Sequence, residues 1–233
     1  MTARTPVGTG YGARPPADQS ISRCMRRRGA AWVAAVTSAA QIRASGPDDR
    51  SGVEQVIRTA FAAEAPAHGD AVVELWRELE QTGLVRISLV AVADGQVVGH
   101  VGVSHAWLDA RRALVDVLLL SPLSVHPPHQ ASGVGTALLE AVLAAGAQTG
   151  RPAMVLEGSP FYYGKRGFDR GSGRGIVAPS ERTPDAAFQV ALFESWEQWM
   201  AGRVVYPDVW WRQDAAGLRD PVLAELEERF RDL

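Results

Sequence analysis

Between Val115 and Ala147 the chain runs through an apolar strand pattern, a polar turn and an apolar helical pattern, with two glycines at the junction. Val115 to Leu120 leads into Ser121-Pro122-Leu123-Ser124-Val125, and Gln130-Ala131-Ser132-Gly133-Val134-Gly135-Thr136 then opens the helix. A helix start leaves its first backbone N–H groups without intrahelical partners, and the helix dipole adds partial positive charge there. Gly133 and Gly135 carry no Cβ, so an anion can approach the backbone closely. The pattern predicts a phosphate held at this helix N-terminus.

Three kinds of phosphate loop compete for the stretch. A P-loop needs a Gly-Lys-Ser/Thr ending, and no lysine stands near. A dinucleotide fingerprint needs a third small residue where Leu138 sits, so it matches at two places of three. The complete match is Gln/Arg-x-x-Gly-x-Gly/Ala after a strand, which resembles the pyrophosphate loop of the GNAT superfamily of N-acetyltransferases. Downstream, Leu156-Glu157-Gly158-Ser159-Pro160-Phe161-Tyr162-Tyr163-Gly164-Lys165-Arg166-Gly167-Phe168 is similar to the end of that family's fifth strand and its Tyr-x-x-x-Gly-Phe element. The two motifs stand in the family's order, with one helix and one strand between them.

Length and composition agree with an enzyme of this size. A chain of 233 residues buries a sizeable core in one domain with appendages, and 21% charged and 46% hydrophobic residues are ordinary for a globular protein. A net charge of -2 gives no basic surface of the kind nucleic acid selects. Cys24 is the only cysteine, which rules out an intrachain disulfide and suits a reducing compartment. No apolar run reaches the ~20 residues of a membrane span. Residues 1–40 read as a flexible leader: Arg26-Arg27-Arg28 ahead of Ala30 to Val36 resembles a late secretory signal, against which stands a mis-assigned start before a cytoplasmic enzyme.

In chain order, Gln41 to Ala44 is a first strand. Pro47-Asp48-Asp49 caps a helix carrying Val53, Val56, Ile57, Ala60 and Phe61 on one face, and Ala71 to Gln81 is a second helix with Val72, Leu75, Trp76 and Leu79. Leu84 to Ala93 and Gln96 to Trp107 form a hairpin around Asp94-Gly95. Ala113 to Val125 is the fourth strand, interrupted near Pro122, which has no ladder donor. Pro152 to Leu156 is the fifth, parallel to the fourth across the helix from Gly133 to Gln148. Ala186 to Leu192 is a late strand, followed by a tryptophan-rich tail and a helix entered at Asp220-Pro221.

The resemblance implies an α/β (α+β) fold: a mixed, mostly antiparallel central sheet of six to seven strands flanked by helices, splayed between strands 4 and 5. The domain would span residues 41–201, with 202–233 as a C-terminal extension ending in a helix. It implies acetyl-CoA as co-substrate, its pantetheine arm beside Leu123 and Val125 and its pyrophosphate on Gln130, Ala131, Ser132, Gly133, Val134, Gly135 and Thr136. It implies direct transfer of the acetyl group to a primary amine, without an acyl-enzyme and without a metal.

For that reaction Tyr163 stands where many family members carry the tyrosine that protonates the coenzyme A sulfur, and the N–H of Val125 is the candidate donor to the carbonyl. Glu157 and His105 are candidate bases, with Glu64, His68 and Asp70 marked on the acceptor side. Arg166 and Lys165 could pair with phosphate charge, with solvated surface as the default. The family's asparagine seven residues before the tyrosine is replaced here by Leu156. The acceptor is a small-molecule or protein amine, with no nucleic acid or membrane partner, and the extension offers a route to a homodimer. The competing reading is a non-catalytic acyl-CoA sensor whose tail tryptophans fill the acceptor cleft and meet a partner.

Overall fold

The computed structural model describes residues 40–62, 66–219 and 222–232. The leader reading and Glu64 lie outside the described residues. Among the described residues nine strands form one sheet: β1 (Gln41–Ala44), β2 (Val85–Ala93), β3 (Gln96–Ala110), β4 (Leu114–Val125), β5 (Ala153–Glu157), β6 (Asp169–Arg170), β7 (Ile176–Val177), β8 (Phe188–Leu192) and β9 (Gly202–Val205). The order is β1-β2-β3-β4-β5-β8-β6, with β9 pairing both β3 and β7. The count exceeds the expected six to seven because β6 and β7 are two residues each and β9 extends the far end of β3.

All main-path pairings are antiparallel except β4 with β5, which is parallel as the crossover helix requires. Only Leu118↔Met154 and Leu119↔Val155 pair across that junction. Beyond them β4 runs on to Val125 paired with β3 and without β5, which is the splay the resemblance implied. Opposite Gly102 the register slips from Val103↔Leu120 to Val101↔Leu123, a bulge at the interruption expected around Pro122.

The helices are α1 (Arg50–Phe61), α2 (Pro66–Gln81), α3 (Val134–Ala147), α4 (Pro160–Tyr163), α5 (Asp208–Arg212) and α6 (Val222–Phe230). One face of the sheet buries Ile57, Trp76, Leu79, Leu108 and Val155 under α1, α2 and the C-terminal segment with Tyr206 and Trp210. The other buries Val101, Val103, Leu118, Met154 and Phe168 under α3 through Leu138, Leu139 and Val142. Each such buried aliphatic or aromatic side chain contributes about 1.5–3 kcal/mol of transfer free energy. Along β3 the small alternate residues have a purpose: Trp76 occupies the space over Gly102 and meets the His100 ring edge-on at 4.7 Å.

Helix α2 starts five residues earlier than its apolar spacing predicts. The polar run before Ala71 resembles a loop, yet Gly69 sits so close to the Arg58 carbonyl of α1 that no Cβ would fit. Arg58 also holds Asp70 at 2.7 Å, and His68 lies edge-on to Phe61 at 5.6 Å. Asp70 and His68 thus join α2 to α1.

Candidate active site

Strand polarity decides which backbone groups are free at the splay. The His126 N–H bonds to the Val98 carbonyl at 2.9 Å, so it faces β3. Successive N–H groups on a strand alternate sides, which turns the N–H and C=O of Leu123 and Val125 toward the edge that β5 has left. The Gln130 side chain confirms the direction, donating to the Val125 carbonyl at 3.0 Å.

After the turn at Pro127–His129, Ser132 donates to the His129 carbonyl at 2.6 Å and Gly133 takes φ +95°, a left-handed conformation in which glycine is unstrained. Ala137 bonds back to Gly133, leaving the earlier N–H groups of α3 without intrahelical partners. Over Gly135 the expectation of open space for an anion changes. A Cβ there would come within 2.7 Å of the Tyr162 hydroxyl. Gly135 is therefore small so that α4 can press against the first turn of α3.

A cleft of about 610 Å³ runs along this loop, lined by Leu123, Val125, Gln130, Ala131, Gly133, Gly135 and Thr136 on one side. Ser159, Tyr162, Tyr163 and Arg166 form the other wall, and Ala60 and Phe61 close the end at α1. Ser132 and Val134 belong to the same loop without lining the cleft. Tyr163 packs between Tyr162 at 5.0 Å and Phe168 at 5.8 Å. Burial of its hydroxyl, with a smaller contribution from Tyr162, raises the phenol above its ordinary range, so it holds its proton at neutral pH.

Arg166, expected on solvated surface, stands in the cleft wall. Its guanidinium lies 4.0 Å over the Tyr162 ring, its Nε donates to Thr136 at 3.1 Å, and one terminal nitrogen donates to the Tyr162 carbonyl at 2.7 Å. The signal for this was the four-residue spacing from Tyr162 to Arg166, which stacks two side chains when the turn is helical.

The candidate bases lie elsewhere. Glu157 follows Ala153 and Val155 on the opposite face of β5 from Met154 and Leu156. It sits under the C-terminal segment, where Thr183 donates to it at 3.2 Å. Burial raises its carboxyl, against the opposing pull of Tyr206, Thr183, the Gly217 N–H and Arg182. One carboxyl oxygen and the Tyr206 hydroxyl are buried without hydrogen-bond partners. His105 bonds Asp116 at 2.9 Å, and Arg151 holds the same carboxylate at 2.9 Å. Asp116 and Val125 are separated by roughly 30 Å of strand, so that ion pair is remote from the cleft. Among the described residues no group of three His, Cys, Asp or Glu side chains suits a metal ion.

A sequence model of the acetyltransferase (GNAT) domain matches residues 41–171. The chain belongs to the GNAT acetyltransferase family. YhbS of Escherichia coli, an N-acetyltransferase, is 28% identical over 150 residues, covering 64% of this chain and 84% of that protein. The YhbS crystal structure in complex with CoA superposes with a TM-score of 0.64 at 26% identity, over 74% of this chain and 92% of that one. A GNAT acetyltransferase from Brucella melitensis, in complex with acetyl-CoA, gives a TM-score of 0.59 at 28% identity, over 74% and 99%.

The matched GNAT segment ends at 171, so Thr183, Arg182, Tyr206 and Gly217 around Glu157 all lie beyond it. Trp210 and Tyr206 pack into the core on the α1 and α2 face, and among the described residues no tail tryptophan lines the cleft. No helix among the described residues is long and apolar enough to cross a membrane.

Proposed function

We propose that this GNAT enzyme binds acetyl-CoA in the cleft and transfers its acetyl group directly to a primary amine. The observation that carries the reading is the free edge of β4. It presents the Val125 N–H to a cleft that has the α3 N-terminus at one end and Tyr163 on the opposite wall. The volume, the glycine loop and the unpaired first-turn N–H groups suit a pantetheine arm ending in a diphosphate, as in the YhbS and Brucella complexes.

Acetyl-CoA supplies an activated thioester. Leu123 and Val125 would pair with the amides of the arm as an added strand, and the Val125 N–H would polarise the thioester carbonyl. Residues 130–136 would hold the diphosphate. Tyr163, protonated at neutral pH, would give its proton to the departing sulfur as the carbon–sulfur bond breaks. The amine would attack in its neutral form and release its remaining extra proton to solvent once the carbon–nitrogen bond has formed, since Glu157, on the other face of β5, does not line the cleft. The acceptor is an amine of a small molecule or a protein, and the sensor reading lacks its filled cleft.

Isothermal titration with acetyl-CoA, followed by thiol release over an amine panel, tests this reading. Binding by the wild type and amine-dependent thiol release that Tyr163→Phe loses are expected. Failure of the wild type to bind acetyl-CoA rejects the reading.

A further inference from the structure

Among the described residues, those lining the cleft carry one charged side chain, Arg166. The matching loop offers only neutral groups: Gln130, Ala131, Gly133, Gly135 and Thr136. We infer that Arg166 is the cation of the cofactor site, a pre-positioned guanidinium that binds the diphosphate of coenzyme A and selects the nucleotide thioester over its phosphate-free pantetheine core. The inference rests on acetyl-CoA occupying this cleft.

Three contacts fix the group before any ligand arrives. Stacking over Tyr162 sets its plane, the Thr136 hydroxyl ties its Nε to the first turn of α3, and the Tyr162 carbonyl takes one terminal nitrogen. A long side chain ordinarily loses rotamer freedom when it grips a ligand, and here that ordering is built into the fold. Thr136 stands in the turn whose N–H groups lack helical partners, so the guanidinium is placed beside the helix end that prefers negative charge. The planar fork suits phosphate oxygens, and the stack leaves it weakly hydrated. Tyr162 also meets Gly135 through its hydroxyl, so one aromatic side chain holds both the loop and the cation.

This placement also commits to one phosphate. Anchored on Thr136 in the first turn of α3, beside the glycine loop, Arg166 is assigned to the diphosphate rather than to the ribose 3′-phosphate.

The test compares wild type, Arg166→Gln and Arg166→Lys by titration with CoA, dephospho-CoA and S-acetylpantetheine, at low and high salt. Arg166→Gln should bind CoA and dephospho-CoA about 10- to 100-fold more weakly, as expected for removal of charge-assisted hydrogen bonds. Binding of S-acetylpantetheine should be unchanged, and the salt dependence of CoA affinity should flatten. Arg166→Lys should fall between the two, keeping the charge but losing the fork and the stack.

Unchanged CoA affinity overturns the inference. So does equal loss for all three ligands, or an unaltered salt slope, either of which makes Arg166 a structural brace between α4 and α3. A loss confined to CoA and absent for dephospho-CoA assigns the residue to the 3′-phosphate instead. If the wild type binds neither CoA nor dephospho-CoA, the cofactor reading itself falls, an outcome distinct from these.

Discussion

The Tyr162 hydroxyl occupies the space in which Gly135 would carry a Cβ, 2.7 Å from that position. The contact joins α4 to the first turn of α3, and Arg166 reinforces the joint by stacking on the same ring at 4.0 Å and bonding Thr136. The glycine of the phosphate loop and the aromatic pair of the downstream motif are thus one packing unit.

Gly135→Ala must therefore push Tyr162 out of place. Overpacking of this kind costs about 1–3 kcal/mol, and the displaced ring takes Arg166 with it. A lower melting temperature and an acetyl-CoA affinity about tenfold weaker are expected, measured by calorimetry on the same preparation. Gly135→Ala combined with Tyr162→Phe, which removes the clashing oxygen, should recover part of the stability. No recovery in the double variant would show that the clash lies elsewhere.

Tyr163→Phe keeps the ring and removes the proton. Loss of a positioned general acid lowers turnover by about 10²-fold or more. Acetyl-CoA affinity should stay near wild type, because the ring still packs between Tyr162 and Phe168. Single-turnover thiol release separates this outcome from a binding defect.

Glu157 has a carboxyl raised by burial, so it is protonated at pH values where an ordinary glutamate is charged. Stability should consequently fall as pH rises past the ordinary glutamate value, and that loss should vanish in melts of Glu157→Gln. The Thr183 hydrogen bond lowers this carboxyl, so Thr183→Val should carry the loss to still higher pH. A melting profile that ignores both substitutions would show that another group titrates there.

Two groups make the fold acid-sensitive in different windows. Burial holds His100 near pKa 3, with Ser88 as its hydrogen-bond partner at 3.1 Å. A histidine whose folded pKa is depressed leaves the unfolded chain with more protons below about 6.5, so stability falls from there toward pH 3. The slope approaches about 1.4 kcal/mol per pH unit, and His100→Gln should abolish it in acid melts.

Asp49 acts lower. Arg43 grips its two oxygens at 2.6 and 2.8 Å and the Gly46 N–H adds a third bond, lowering its pKa to about 2. Its contribution is present above about pH 4, the unfolded value, and is lost as pH falls toward 2. Asp49→Asn should melt at a lower temperature at neutral pH and show less further loss across that window.

Much of this architecture is legible in local pattern. The alternation in β2 and β3 around Asp94-Gly95, the strand-to-helix glycine loop and the helical spacing in α1 each depend on residues within a dozen positions. Helix α2 begins early because Gly69 meets Arg58 of another helix, and β9 forms because Val204 and Val205 find β3 almost a hundred residues earlier. Local periodicity carries no information about such partners.

The site divides along the same line. The sequence by itself determined the loop, the open strand ending at Val125, the tyrosine at 163 and hence the family, because a backbone phosphate site needs a particular order of strand, glycine and helix. Only the tertiary structure decided that Arg166 stands in the cleft and that Glu157 lies buried on the other face of the sheet. It alone separated His105 from both. A side chain's charge state and neighbours follow from what packs around it, and those neighbours come from elements far apart in the chain.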